Sequence, residues 1–415
     1  MWRRTLAALT SAAAGLCSAA PHGAPVSTLQ MPSGITAQKL ALVVNDADPA
    51  SVALAIHYAA ARGIPAAQVV HVAFAPDRAA LGAEEFGRIK SQVDAAVPER
   101  VQAYALAWTR PYQVDCMSIT TAFAFGFDRR HCAEGCRPTQ VSRYFDSDSA
   151  APWRDLGLRP SMLLAARSLD EAKALIDRGV RSDGQWPEGK AYLVRTGDAL
   201  RNVRTPQYAA AERLLANAYP IETVDGDAIE GRTDVMFYFT GLARVPGIET
   251  NRYLDGAVAD HLTSAGGMLL ESPQTSALEW IRAGATGSYG TAFEPCNFVQ
   301  KFPVVPVVMS RYLAGETLIE AYWKSVRMPG QGVFVGEPLA RPFGGVRSRL
   351  VGTTVEARLH ALRPGRYRLQ AAPSGFGPFR TVSTLQVDRF GPQTVRLPAT
   401  PAQVYRLVPE AAGPG

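Results

Sequence analysis

A catalytic nucleophile needs a base within hydrogen-bond reach and an exposed turn on which to sit, and few residues of this chain offer either. His261, in the run Ala259-Asp260-His261-Leu262, is the one histidine between Asp234 and Gly290. Ser272, in Leu270-Glu271-Ser272-Pro273, follows a short apolar run and stands where a turn is expected. Ser272 with His261 would form an acyl-transfer pair. Cys296 with His261 is the thiol version, and it requires Cys296 to be unpaired, because only a free thiolate attacks. Asp260 is a poor orienting group for its own neighbour, since adjacent helical residues point about 100° apart. The competing structural role for His261 is a packed side chain that bonds backbone.

Other motifs carry less. Asp46 and Asp48 fall at the carboxyl end of the first expected strand, where open α/β sheets bind ligands. They lack the Gly and Glu that complete a calcium loop, so capping the next helix is their alternative use, with Ser51 as its N-cap. Gly284-x-x-Gly287-x-x-Gly290 precedes and spans a strand instead of opening a helix, which argues against phosphate cradling. Cys116, His131, Cys132 and Cys136 are suitable zinc ligand types without the paired spacing of structural sites. No G-x-S-x-G, H-E-x-x-H or P-loop occurs. No metal and no cofactor is expected. Of the aromatics Trp280, Tyr289, Phe293, Tyr312, Tyr322 and Trp323, most belong in a core, although such residues also line sugar or peptide grooves.

The elements that must position these residues alternate. Leu40–Asn45 is an apolar run, Ser51–Arg62 has helical spacing and Val69–Val72 is β-branched, a βαβ unit that calls for parallel sheet. A helix over Glu84–Val97 and a strand over Tyr104–Trp108 continue it. A long irregular segment, Arg110–Pro160, holds three cysteines. The alternation then resumes with strands at Met162–Ala166, Ala191–Arg195, Asp234–Phe239, Gly267–Leu270 and Thr286–Gly290. Helices are expected at Leu169–Arg178, Pro206–Ala218, Gly256–Ser264 and Ser276–Ala283, with a helical pair at Pro306–Ser325. The expected body covers 36–343, with halves at 36–200 and 201–343. Short alternating runs between Pro/Gly turns over 347–409 predict a small all-β sandwich.

The N-terminus, Met1-Trp2-Arg3-Arg4 followed by a weakly apolar stretch to Ala20, has the plan of a secretory signal over 1–24. Nothing after it approaches the roughly 20 apolar residues of a membrane helix. Export, to the periplasm or the medium, is therefore expected. The formal charge is +6, from 43 basic and 37 acidic residues. The basic residues are scattered and form no patch for nucleic acid. Four cysteines would remain after cleavage: Cys116, Cys132, Cys136 and Cys296. An even count in an oxidising compartment predicts disulfides. Three pairings are possible, and the short Cys132–Cys136 ring with Cys116–Cys296 is the favoured one.

The blocks Cys116-Met117-Ser118-Ile119-Thr120, Ala259-Asp260-His261-Leu262-Thr263-Ser264, Arg282 to Thr291, Glu294-Pro295-Cys296-Asn297 and Lys301-Phe302-Pro303 resemble a family of exported bacterial proteins without established activity. The likeness runs from about Leu40 to Phe343. More distantly, Asp234 to Pro342 resembles the catalytic half of gingipain-type cysteine peptidases, which have the caspase fold. In that fold one strand ends in Gly-His-Gly and the next in Ser-Cys. Here Tyr238-Phe239-Thr240-Gly241 ends the first without the histidine, and Leu270-Glu271-Ser272-Pro273 is matched to the second without the cysteine, while Gly284-Ala285 and Gly336-Glu337-Pro338 fit the pattern. The resemblance implies a caspase-like scaffold that has lost its dyad, with Thr240, Gly241 and Ser272 sharing a crevice at the sheet's carboxyl edge. Two functions remain open: a module binding a peptide, glycan or envelope protein, or an envelope hydrolase using Ser272 or Cys296 with His261.

Overall fold

Leu40–Asn45 (β1) is buried at every position, as a parallel strand covered on both faces must be, and it seeds the largest sheet. The computed structural model describes residues 27–31, 34–133, 135–399 and 403–410; the expected signal over 1–24 lies outside them. Pro49–Arg62 (α1) follows β1, capped by the Asp48 carboxylate on the Ala50 amide with Pro49 in the first turn. Asp48 thus caps the helix, as one of the two acids expected to do so, and Ser51 does not; its hydroxyl is buried and accepts the Asn45 amide. Proline at the first helical position loses no bond, because that amide has no intrahelical acceptor.

The chain continues through β2 (Val69–Val72), α2 (Ala83–Ala96), β3 (Ala103–Leu106), α3 (Ile119–Phe125), β4 (Ser161–Leu163) and α4 (Leu169–Ser182). The second half has β5 (Lys190–Arg195), α5 (Pro206–Leu215), β6 (Ile221–Asp225), β7 (Val235–Thr240), β8 (Tyr253–His261), α6 (Ala277–Ala283) and β9 (Gly287–Thr291). The helices α7 (Val305–Leu313) and α8 (Leu318–Trp323) lead to β10 (Gly332–Gly336). All ten strands form one sheet in the order β6-β5-β7-β8-β9-β10-β4-β3-β1-β2. Within each half the first four strands run parallel in the relative order 2-1-3-4. Between the halves β10 pairs antiparallel with β9 and meets β4 at Val335 opposite Leu163.

Two sequence expectations fail here. Gly256–Ser264 is no helix: most of it is β8, held between β7 and β9. Gly267–Leu270 is a turn and not a strand. Alanine and leucine favour helix locally, but a slot between two buried strands overrides so weak a preference. Gly256, at φ 91, occupies a backbone state that L residues rarely adopt, and a Cβ there would press on Pro342 and Ser182. Opposite it the β7–β8 register shifts, the mark of a bulge.

Cys116 bonds Cys132 and Cys136 bonds Cys296. The favoured Cys132–Cys136 and Cys116–Cys296 pairing is therefore wrong, and these cysteines are unavailable to zinc. The long segment after α3 folds back so that Cys136 reaches the loop beyond β9, joining the two halves covalently.

Beyond β10 lie two small sheets, one of Arg347–Val351, Thr354–Leu362 and Gly391–Pro398, the other of Gly365–Ala372, Arg380–Val387, Val404–Pro409 and Thr28–Gln30. They share a core that includes Leu29, Val355, Leu359, Leu369, Leu397 and Leu407. Thr28–Gln30 pairs in parallel with Val404–Arg406, so the segment before the large sheet belongs to this unit, which 347–409 alone does not contain. His360 packs on Phe343, 4.5 Å between ring centres, and on Trp186. Arg363 pairs with Asp146 and Asp148 of the long irregular segment, the same acids that hold the buried Arg311. No described helix is long and apolar enough to cross a membrane.

Candidate functional site

The expected crevice at the ends of β7 and β8 is filled. Thr240 and His261 are wholly buried. A Cβ on Gly241 would collide with the Arg201 carbonyl at 1.9 Å, so the loop after β5 lies directly on the strand end. Arg204, from that loop, donates to Asp260 Oδ1 at 2.6 Å and to the Thr240 carbonyl at 2.7 Å. Both partners are sealed, with side-chain exposures of 1% and 0%. Burial pushes the Asp260 carboxyl up, opposed by the Arg204 guanidinium and the Tyr322 hydroxyl. His261 Nδ1 accepts from Trp280 Nε1 at 3.0 Å. Burial, with the Arg204 charge second, holds its imidazole down to about 3, so it is neutral and its remaining polar atom, Nε2, makes no hydrogen bond among the described residues.

None of the expected pairs assembles. Ser272 is half-buried in a turn, and its Oγ accepts the Gln274 amide two residues on, a local turn bond. The strand beside β7 is β8, which ends in Asp260-His261, so Ser272 does not end a neighbouring strand as the Leu270–Pro273 match requires. Cys296 is in a disulfide with Cys136 and cannot serve as a thiol nucleophile. Asp46 meets His71 Nδ1 at 2.7 Å on the surface. No described group of three or more His, Cys, Asp and Glu residues is placed to hold a metal ion.

An open concavity lies in the first half. A cleft of about 210 Å³ lies outside the ends of β1, β3 and β4. Its walls come from the first turn of α1 (Asp48, Ala50, Ser51), the turn after β3 (Ala107 to Arg110) and the turn from β4 into α4 (Ala166 to Leu169), with Leu270 reaching in from the second half. β1 lies between β2 and β3, so the chain order reverses there, and connections leaving on opposite sides part to leave a crevice. Sequence reasoning placed Asp48 at this edge and missed Trp108, Thr109, Arg110 and Arg167.

Local chemistry explains the cleft's shape. Ser168 caps α4 by accepting the Glu171 amide, and Glu171 Oε2 accepts the Arg167 amide. The Thr109 hydroxyl donates to the Ala166 carbonyl at 2.8 Å and the Ala166 amide returns at 3.2 Å, tying two walls together. Trp108 donates Nε1 to the Pro111 carbonyl, so its ring is fixed. Arg110 pairs with Glu271, and Arg167 reaches Glu279 with Nε at 2.8 Å. Both guanidinium groups remain partly open, at 29% and 38% side-chain exposure. A second hollow, of about 120 Å³, lies by α6 between Val245, Thr275 and Arg282. The cleft sets an apolar wall, from Leu54, Leu164 and Leu270, beside two partly open guanidinium groups.

No family model, curated protein or solved structure matches the chain.

Proposed function

We propose that the protein works outside the cytoplasm as a binding module that grips a peptide or glycan in the cleft at the ends of β1, β3 and β4. The contrast between the two sets of strand ends carries this reading. Where a caspase-type site would lie, the space is packed with mutually bonded side chains, while the first half keeps a walled opening. The relative strand order 2-1-3-4 in each half supports the caspase-type scaffold that the resemblance implies. Flavodoxin-like sheets share that order, so scaffold and chemistry are argued separately. The two disulfides support an oxidising compartment.

Native mass spectrometry of the intact protein with a pool of tripeptides and cell-wall oligosaccharides tests the proposal. Ala50 lines the cleft from an exposed position, so Ala50→Trp should obstruct the opening without entering the core. Retention of a ligand by the native protein and its loss in this variant is the expected result. Covalent labelling of Ser272 by a fluorophosphonate, or turnover of any pool member, would overturn the reading.

A further inference from the structure

We propose that the cleft recognises a carboxylate, the free C-terminus of a peptide, and that Glu271 and Glu279 are the protein's own stand-ins for it. This rests on the reading of the cleft as the binding site.

Arg110 and Arg167 are the two cationic side chains of the cleft, and each is engaged by a carboxylate from the second half of the chain. Neither engagement is the fork-to-fork pairing that arginine and a carboxylate form at their best. Arg110 gives one terminal nitrogen to Glu271 while its buried Nε has no partner among the described residues, and the other Glu271 oxygen accepts the Tyr112 hydroxyl at 2.8 Å. Arg167 places both Nε and Nη2 on the same oxygen, Glu279 Oε1, while Glu279 Oε2 is taken by Arg282 at 2.9 Å. Each glutamate is thus shared and each arginine keeps donor capacity. Pairs this exposed are weak and readily exchanged.

The rest of the cleft suits a peptide end better than a bare diacid. Leu54, Leu164 and Leu270 supply an apolar wall for a terminal aliphatic side chain, and the Asp48 carboxylate at the mouth can accept a peptide N–H beyond its cap bond. The first turns of α1 and α4, two helices of 14 residues, border the same space. Their partial positive charge adds to the two arginines. A ligand carboxylate entering here would displace Glu271 from Arg110, so the bond between the halves competes with the ligand.

Calorimetry on the intact protein with N-acetyl-Ala-Ala-Leu as free acid, the same peptide as C-terminal amide, and succinate tests this. The acid should bind at least tenfold more tightly than the amide. R110Q or R167Q should abolish that preference. E271Q should tighten the acid severalfold by removing the competitor, with E279Q as the second variant should E271Q fail to fold. Succinate binding as tightly as the peptide would support carboxylate recognition and overturn the assignment to a peptide terminus. Equal affinity for acid and amide, with both blocked by Ala50→Trp, would overturn the carboxylate while leaving the cleft a binding site. No binding of any probe, or weaker binding by E271Q, would overturn the inference; a pool ligand still lost in Ala50→Trp would show that the broader reading survives.

Discussion

At the ends of β1, β3 and β4 the chain leaves a cleft walled by two guanidinium groups; at the ends of β5, β7 and β8 the corresponding space holds Arg204, Asp260, His261 and Trp280, bonded to one another or to the strand ends. Each region pairs an arginine with a carboxylate distant in sequence, Arg110 with Glu271 and Arg204 with Asp260. The first pair faces solvent and the second does not. A shared strand order thus supplies an edge where ligands can bind, and the loop after the first strand of each half determines whether that edge stays open. The loop after β5 lies on Gly241, whereas the chain after β1 turns directly into α1.

The largest effect tests that contrast. Asp260→Asn leaves Arg204 buried without a countercharge, and removing one partner of a buried pair costs about 3–5 kcal/mol. Arg110→Gln breaks a solvent-facing pair and should cost at most about 1 kcal/mol. Urea unfolding of the two variants should separate them clearly, and the double replacement Arg204→Met with Asp260→Leu should recover much of the loss. Equal midpoints for Asp260→Asn and Arg110→Gln would mean that the second half is no better sealed than the first.

The two regions were unequally legible in the sequence. Leu40–Asn45 reads as a strand because a parallel strand buried on both faces is apolar throughout, and Asp48-Pro49 marks the helix start. Ser168 and Glu171 have the spacing of a capping box, and Trp108-Thr109-Arg110 ends an apolar run, so the cleft's walls carried local signals. The filled edge carried none. Arg204 and Asp260 meet through a loop laid over two strand ends, which no local pattern encodes. Ala257 and Ala259 read as helix because only the neighbouring strands make them β. Spacing favours a Cys132–Cys136 ring, but the chain folds Cys136 toward the loop after β9, a tertiary fact.

The disulfides offer a smaller effect. Cys116–Cys132 closes a separation of 16 residues within the first half, and Cys136–Cys296 closes 160 across the halves. In the chain-entropy model the longer loop stabilises by about 2 kcal/mol more. Paired alanine variants should unfold in that order in denaturant. A reversed order would show that the link between the halves contributes less than a local one.

Protonation should weaken both halves and the attached β unit together. Burial chiefly holds His131 down to about 4, His261 to about 3 and His360 to about 4. All three lie below the unfolded value near 6.5, so the unfolded chain binds protons first as pH falls. Their contribution is complete above pH 6.5 and is lost between there and about pH 4 for His131 and His360 and about pH 3 for His261, at on the order of 1 kcal/mol per pH unit for each histidine. Urea midpoints at pH 7, 5.5 and 4.5 should fall accordingly. His360→Phe, at the junction with the β unit, should reduce the slope, and an unchanged slope would place that histidine in solvent.

Ser272→Ala should have the smallest effect, and it separates the two readings of the second half. The Ser272 hydroxyl accepts one amide, from Gln274, in a half-buried turn. Losing such a bond costs about 1 kcal/mol or less, because water can reach the freed amide. A nucleophile would behave differently: its removal leaves stability nearly unchanged and abolishes turnover and covalent labelling. His261 offers no activation, because it is buried, its Nδ1 lone pair is taken by Trp280 and the proton of the neutral ring therefore sits on Nε2, so the Ser272 hydroxyl would have to react without a base. Ser272→Ala should therefore retain the cleft's ligand with native affinity, shift the urea midpoint slightly, and match the native protein in showing no fluorophosphonate label. A label present on the native protein and absent from the variant would place chemistry in the half that its own side chains fill.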